Sequence, residues 1–448
     1  MTANDPALSL GQPDLERIVL RALEEARSGG ADQAEAGVAV DAGLSVTVRL
    51  GEVETLEYQR DRSMGITVYV GGRKGSASTA DLAWPAVADT VHKALSIARF
   101  TARDEFAGLA DAVLMARDVP DLDLCHPWQL DAEGAIELAR ACEATALAVD
   151  PRVSNSEGGS VSSHSGLRVY GNSHGFIGGY PHTGHSISCV VLAQAGDDMQ
   201  RDYWYDSARA ATDLEAVDSI GRRAARRALD RLGARKLTTR RAPVLFVPQL
   251  ARGLVGHFVG AIRGGPQYRK SSFLLDAAGE QLFPGWVSMR ERPHLPRALG
   301  SAPFDSEGVA TRERELVRNG VLSGYVLDAY AARKLGTVTT GNAGGVHNLE
   351  VAAGSDDFEA MLARLGTGLV VTELMGQGVN GVTGDYSRGA TGFWVENGVI
   401  AYPVHEVTIA GNLRDMYRGL VAIGADVDLR GSIRTGSILL SEMMIAGD

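Results

Sequence analysis

The sequence predicts an α+β fold: an α/β N-terminal domain of antiparallel meander and helices over residues 1–241, and a mainly antiparallel β C-terminal domain over residues 242–448. Three observations carry this expectation. Helical windows with one apolar stripe alternate with period-two stretches through the first half of the chain. Glycine, 54 of 448 residues, clusters in the second half beside alternating apolar residues, a pattern of hairpins and bulges rather than long helices. The last helix of the first pattern and its arginine-rich tail run out near Arg241.

Pro13 opens the first helix, over residues 13–27, where Leu15, Ile18, Val19, Ala22, Leu23 and Ala26 form one stripe and Gly29-Gly30 is the stop. Over residues 32–80 the period becomes two. Leu44, Val46, Val48 and Leu50 share a face, and turns are signalled at Asp41-Ala42-Gly43 and Gly71-Gly72. Helices follow over 84–100 and 131–149, the second with Asp131 as N-cap and Pro151 beyond its end. Strands return over 153–205, and a helix over 213–232 buries Leu214, Val217, Ile220, Ala224 and Leu229. A strand over 244–247 then leads into a helix marked by Leu250, Leu254, Val255, Phe258 and Ile262, which exits through Gly264-Gly265-Pro266. Downstream, residues 320–327 read as a hairpin, 368–374 as a strand, and Asn397-Gly398 as a two-residue hairpin turn. Helices over 356–365 and 413–421 complete the chain.

A net charge of −11 argues against a nucleic-acid partner. The N-terminal run has no basic, apolar leader pattern, and no stretch approaches the ~18 apolar residues of a membrane span, so a cytoplasmic protein with no membrane partner is expected. The three cysteines, Cys125, Cys142 and Cys189, show no Cys-x-x-Cys pairing, which speaks against a disulfide framework or a cysteine-rich zinc site. Arg222, Arg223, Arg226, Arg227, Arg231, Arg235, Lys236, Arg240 and Arg241, on the last helix of the first half and its tail, read as a solvated helix face whose cations favour the helix C-terminus rather than as a phosphate-contacting face.

Short motifs add two candidates. Gly171-Asn172-Ser173-His174-Gly175 matches Gly-x-Ser-x-Gly, but a nucleophile elbow needs a helix directly after the serine, and the Gly178-Gly179-Tyr180-Pro181 that follows cannot form one. His164, His174, His182 and His185 crowd one span; no acidic residue neighbours them in sequence, and loop histidines are the expected reading. His405-Glu406 lacks the second histidine of a zincin helix.

Longer segments carry a resemblance. Residues 251–272, ARGLVGHFVGAIRGGPQYRKSS, together with NSEGG at 155–159 and the run from Gly376 to Leu413 beginning GQGVNGVTGDYSRG, resemble the TldD/PmbA peptidase family, in its PmbA (TldE) branch, along essentially the whole chain. Catalytic members of that family carry His-Glu-x-x-x-His, the histidines as zinc ligands and the glutamate as base, and bring a C-terminal cysteine to the metal. Here Arg252 and Gly253 stand where the first ligand and the base would be, His257 keeps the second ligand place, and no cysteine follows Cys189. In an ideal helix residues five apart point roughly 140° away from each other, so a shared metal would need a local widening, which Gly256 would ease. The resemblance implies no catalytic residue and no cofactor in this chain, with zinc held by a TldD-type catalytic subunit. The two would cleave unfolded or precursor peptides, this chain shaping the cleft. Gly376, Gly378, Asn380, Asp385, Tyr386 and Arg388 are expected along the peptide path or partner interface. A homodimer of the isolated chain is left open. The rival readings are a self-sufficient hydrolase using Ser173 or the His164 to His185 cluster, and a non-enzymatic binding or scaffold protein.

Overall fold

The computed structural model describes residues 10–447, so the first part of the N-terminal run read for targeting features lies outside the described residues. Helix α1 (Gln12–Ser28) buries Leu15, Val19, Ala22 and Ala26. Strands β1 (Gln33–Arg49), β2 (Glu52–Val70) and β3 (Arg73–Thr79) follow, then helices α2 (Trp84–Phe100) and α3 (Ala132–Leu147). Asp131 caps α3 as expected, accepting from the Gly134 N–H at 2.8 Å. Next come β4 (Val153–Asn172), β5 (Ile177–Ala195), β6 (Asp198–Ala208) and α4 (Val217–Asp230).

These strands form one six-stranded antiparallel sheet in the order β3-β2-β1-β4-β5-β6. Strand β1 explains how one sheet carries four helices. Its residues Ala34 to Val40 at every second position pack under α1 and α2, and Leu44, Val46 and Val48 continue the same face under α3 and α4.

Two expectations fail on β1. Asp41-Ala42-Gly43 is not a turn: Asp41 pairs with Asp61 of β2 and Gly166 of β4, and hydrogen bonding from both sides keeps the strand extended. Leu50 does not share the buried face either. It is 56% exposed, with φ of +50°, because the chain actually turns there with Gly51. The Gly71-Gly72 turn stands where it was expected.

The second half begins with β7 (Arg240–Phe246), α5 (Pro248–Ala261) and α6 (Gly264–Tyr268), so Gly-Gly-Pro opens a further helical turn, Pro266 standing among its first residues. Then follow β8 (Met289–Glu291), β9 (Arg314–Arg318), β10 (Val321–Leu322), α7 (Ala329–Lys334), β11 (Leu349–Val351), α8 (Phe358–Leu365), β12 (Gly368–Met375), β13 (Asp385–Glu396), β14 (Val399–Asn412), α9 (Leu413–Arg418), β15 (Leu420–Ile423), β16 (Ile433–Arg434) and β17 (Ile438–Ala446). The sheet β14-β13-β12-β7-β17-β15 closes on itself through β14 and β17, giving a small barrel with one parallel pair, β12 with β7. A second sheet, β10-β9-β8-β11-β16, lies beside it.

The β13–β14 hairpin turns at Asn397-Gly398, both with positive φ, as the sequence predicts. Three expectations shift. The hairpin of residues 320–327 turns one step earlier, at Asn319-Gly320, and only Val321–Leu322 pair back. The helix expected to 421 stops at Arg418, since Leu420–Ile423 is drawn into the barrel sheet beside β17. The helix expected from residue 213 starts at Val217, after a tight turn at Ala211–Asp213. Among the described residues no helix is long and apolar enough to cross a membrane.

Candidate functional site

Helix α5 is anchored by its apolar side. Leu254, Val255 and Phe258 enter the barrel core, Phe258 meets the Phe283 and Tyr417 rings edge-on, and the Tyr417 hydroxyl donates to the Leu254 carbonyl at 3.1 Å. At its end, Ser272 donates to the Ala261 carbonyl at 2.7 Å and accepts from the Leu274 N–H, which fixes the exit of the helix. Its polar positions are thereby aimed at two different neighbours.

Arg252 faces a loop and the first sheet. Its guanidinium donates to the Arg430 carbonyl and to the Tyr205 hydroxyl, both at 2.9 Å, and lies 3.9 Å from an Asp428 oxygen. Arg430 in turn grips Asp428 with two hydrogen bonds, 2.8 and 3.1 Å, donates to the Tyr205 carbonyl, and stacks over the Trp204 and Tyr205 rings. Burial alone would raise the Asp428 carboxyl, yet the Arg430 hydrogen bonds and the charges of Arg430 and Arg252 hold it below its ordinary range. Three segments, α5, residues 428–431 and β6, are tied together here. Tyr205, Asp428 and Arg430 gave no signal in the sequence, because they join only through the fold.

His257 faces elsewhere. Its ring lies edge-on to Tyr386, centroids 6.1 Å apart, and burial, then the nearby Arg388 cation, lowers its pKa. The Tyr386 hydroxyl, 2% of whose residue surface is exposed, is pushed up to about 12 by burial. The Arg388 Nε is buried without a hydrogen-bond partner among the described residues. Helix α5 stays regular through Gly256, without the widening that a shared metal would need; Arg252 and His257 are each held by their own partners and nothing draws them together. Gly253 has no atom within 4 Å of where a Cβ would stand.

Of the remaining candidates, Gly376, Gly378 and Asn380 lie in the loop joining β12 to β13, and Asp385 is the first residue of β13. Gly378 is dictated by packing, since a Cβ there would lie 1.8 Å from the Ser387 carbonyl oxygen. Asn380 accepts from the Val382 and Thr383 N–H groups, and Asp385 accepts from Thr383 and Asn412 side chains. Gly376 turns the chain at φ +76°. The fold therefore brings Tyr386 and Arg388 to His257, while Asn380 is occupied within the loop and Asp385 by Thr383 and by Asn412 at the end of β14.

Ser173 sits in the turn between β4 and β5, where its Oγ accepts from the Ala34 N–H at 3.0 Å, and a strand follows it. His185 is buried between Ser163 and the His126 carbonyl, and His174 lies in the exposed turn. An acid does approach His182 after all: Asp41, distant in sequence, comes to 3.9 Å through the β1–β4–β5 register. Among the described residues no three His, Cys, Asp or Glu side chains are grouped to hold a metal. A cavity of about 990 Å³ is lined by Glu35, Tyr69, Phe106, Glu307, Tyr330 and Lys334 among others, and includes no residue of the α5 motif.

Models of three consecutive segments of one family match residues 34–98 (PmbA/TldA metallopeptidase domain 1), 125–232 (central domain) and 239–447 (C-terminal domain). The metalloprotease PmbA of Escherichia coli O157:H7 is 54% identical over 97% of this chain and 96% of its own length. The chain belongs to the PmbA/TldD metallopeptidase family. The PmbA homolog of Haemophilus influenzae is 48% identical over 98% of each chain. Among solved structures, a candidate modulator of DNA gyrase from Bacteroides thetaiotaomicron superposes with a TM-score of 0.92 at 29% identity, over 97% of this chain and 99% of that one. TldE from Thermococcus kodakarensis, at 20% identity, shares the family fold with a TM-score of 0.81 over 96% and 99%.

Proposed function

We propose that this chain is the PmbA (TldE) type subunit of a two-subunit TldD/TldE metallopeptidase, with zinc in a TldD-type partner and unfolded or precursor peptides as substrates. The carrying observation is Arg252. Its place is the first ligand place of the family motif, and its guanidinium is committed to Tyr205 and Arg430. The donor set does not fit zinc: a fixed cation replaces one ligand, Gly253 offers no base, and the surviving His257 lies under the repulsion of Arg388. No step of hydrolysis is therefore assigned to this chain.

Its role in the reading is to shape the cleft. A peptide held along a sheet edge gains main-chain hydrogen bonds that do not depend on its sequence, while enclosure between two chains rejects folded proteins. The Gly376 to Arg388 loop, with Arg388 turned toward His257 and Tyr386, is the proposed contribution to that path.

The test is peptide hydrolysis by the purified chain, by a TldD-type chain, and by the mixture, with zinc measured on each. The mixture alone should cleave, and zinc should follow the partner. About one tightly held zinc on the isolated chain would sink the proposal. In the mixture, Asp385→Ala and Arg388→Ala should weaken assembly or cleavage; no change in either removes the loop from the path.

A further inference from the structure

Strand β1 has two faces with different company. Ala34, Ala36 and Val38 lie under α1 and α2, so Gln33, Glu35 and Gly37 stand on the other side of the sheet. The register sets Tyr69 of β2 opposite Gln33, Tyr170 of β4 opposite Gly37, and Lys74 of β3 opposite Tyr69, all on this helix-free face. The second half of the chain meets it around the cavity of about 990 Å³, contributing Glu307, Tyr330 and Lys334. The segment after α2 closes the side, its Asp104 accepting from the Tyr330 hydroxyl at 2.6 Å.

The charges of this lining are unpaired in an ordered way. Glu35 accepts from the Tyr69 and Tyr170 hydroxyls at 3.3 and 2.8 Å, and Glu307 from the Ala329 N–H at 2.9 Å, so neutral donors aim both carboxylates. Among the described residues neither has a salt bridge. Two cations of α7 are committed elsewhere: Lys334 lies 3.6 Å from Asp104 and over the Phe106 ring, and Arg333 is spent on three backbone carbonyls. Burial, with Asp305, Asp328 and Glu35 adding to it, pushes the Glu307 carboxyl up to about 7, as expected of negative charge without a counterion. Lys74 and Arg103 also line the cavity, exposed, and among the described residues they too lack an ionic partner; Glu105 beside them is exposed as well. The unmet acids are thus half-buried and the unmet bases lie in water.

We propose that this cavity binds a free peptide of two or three residues, its α-ammonium at Glu35 and Glu307 and its α-carboxylate at Lys74 and Arg103. The spacing sets the length. Strands β1 and β3 are two strand widths apart and Lys74 is offset two residues from Glu35, which separates their Cα atoms by roughly 12 Å. An extended tripeptide spans ~10 Å, and the side chains lean in from both ends. A single amino acid carries both charges on one carbon and cannot reach both groups. Tyr69, on the strand between them, and Phe106 give the peptide an apolar wall.

The site is made by this chain alone and does not rest on the peptidase reading; it reads two free termini, where a cleft for long chains reads backbone. Calorimetric titration of the full chain with trialanine, at a pH of about 7.5 where its ammonium is still largely charged, should show one saturable site. N-acetyl-trialanine leaves the half-buried carboxylates unmet and should bind at least roughly tenfold more weakly, whereas trialanine amide loses only a contact to exposed bases and should bind a few-fold more weakly. Glu35→Gln and Glu307→Gln should each weaken trialanine roughly tenfold and remove most of its preference over the acetylated form. Lys74→Ala with Arg103→Ala should instead erase its preference over the amide. Far-ultraviolet circular dichroism establishes that each variant is folded, and the capped peptides test the site on the parent chain whatever the variants do. No binding of trialanine at millimolar concentration overturns the proposal. So does equal binding of the acetylated peptide or of 1,4-diaminobutane, or binding indifferent to both glutamine variants.

Discussion

At the scale of the residue, Arg252 is a mechanical tie. Its two hydrogen bonds hold α5 to β6 and to residues 428–431, and a bond to a charged donor is worth about 1.5–3 kcal/mol. Arg252→Ala should therefore lower stability by about 2 kcal/mol in urea unfolding, and Tyr205→Phe, which loses one acceptor, by about 1 kcal/mol. Arg252→His with Gly253→Glu should fold, since nothing crowds position 253 and glutamate favours a helix over glycine by up to ~1 kcal/mol. It should still not hydrolyse peptide with added zinc, because no third anchor or orienting groups surround the pair; turnover would reveal a recently silenced site. Glu307 makes a separate prediction about pH. Burial pushes its carboxyl up to about 7, against the pull of the Ala329 N–H, and Asp305, Asp328 and Glu35 add to the rise. The folded chain binds that proton between roughly pH 4.3 and 7 while the unfolded chain does not, so the group adds stability as pH falls through this window. His182 works the other way. Burial lowers it to about 4, so the unfolded chain takes up its proton first and stability drops below roughly pH 6.5. Glu307→Gln isolates the first effect: its melting temperature should exceed the parent's most above pH 7, with the difference shrinking toward zero near pH 4.5.

At the scale of the element, the loop between β12 and β13 is held by backbone fit. Gly378→Ala drives a methyl into the Ser387 carbonyl and should cost at least about 2 kcal/mol, whereas Gly381→Ala, with open space at that position, should cost under about 1 kcal/mol. Equal costs in denaturant would refute the packing account. Helix α4 shows how an element can hide its purpose from composition. The solvated face expected from its arginines is partly a buried network: Arg231 bonds Asp202 at 3.4 Å and Glu373 at 2.6 Å, Arg227 reaches Asp202 at 3.1 Å, and Arg223 lies over the Trp204 ring. Buried pairs of this kind are costly to break singly, since the remaining carboxylate is left uncompensated.

At the scale of the whole molecule, arginines join the first sheet to the second half of the chain. Arg333 of α7 donates to the carbonyls of Phe106, Gly108 and Leu109 at 2.7 to 3.0 Å, Arg209 donates to Leu299, and Arg430 reaches back to Tyr205. Arg333→Ala strands three carbonyls at once. It should cost about 2–3 kcal/mol and raise hydrogen exchange around residues 103–110, in the segment after α2, ahead of the first sheet. Exchange unchanged in that segment would show that the clamp is dispensable.

The sequence by itself determined the elements whose cause is local. The apolar stripes of α1 and α2, the Asp131 cap and the Asn397-Gly398 turn depend on periodicity, a side-chain oxygen and positive-φ residues, all readable within a few positions. It also determined the family, because identity is spread along the chain, and it singled out Arg252, Gly253 and His257 by comparison of residue types. Tertiary structure decided what needed partners far apart. Asp41-Ala42-Gly43 looks like a turn until β2 and β4 hydrogen-bond it from both sides. The strand of residues 420–423 exists only because β17 recruits it. The surroundings of Arg252 are assembled from Tyr205, Asp428 and Arg430, the last two more than 170 positions away, and no local pattern marks side chains whose meeting is fixed by barrel closure.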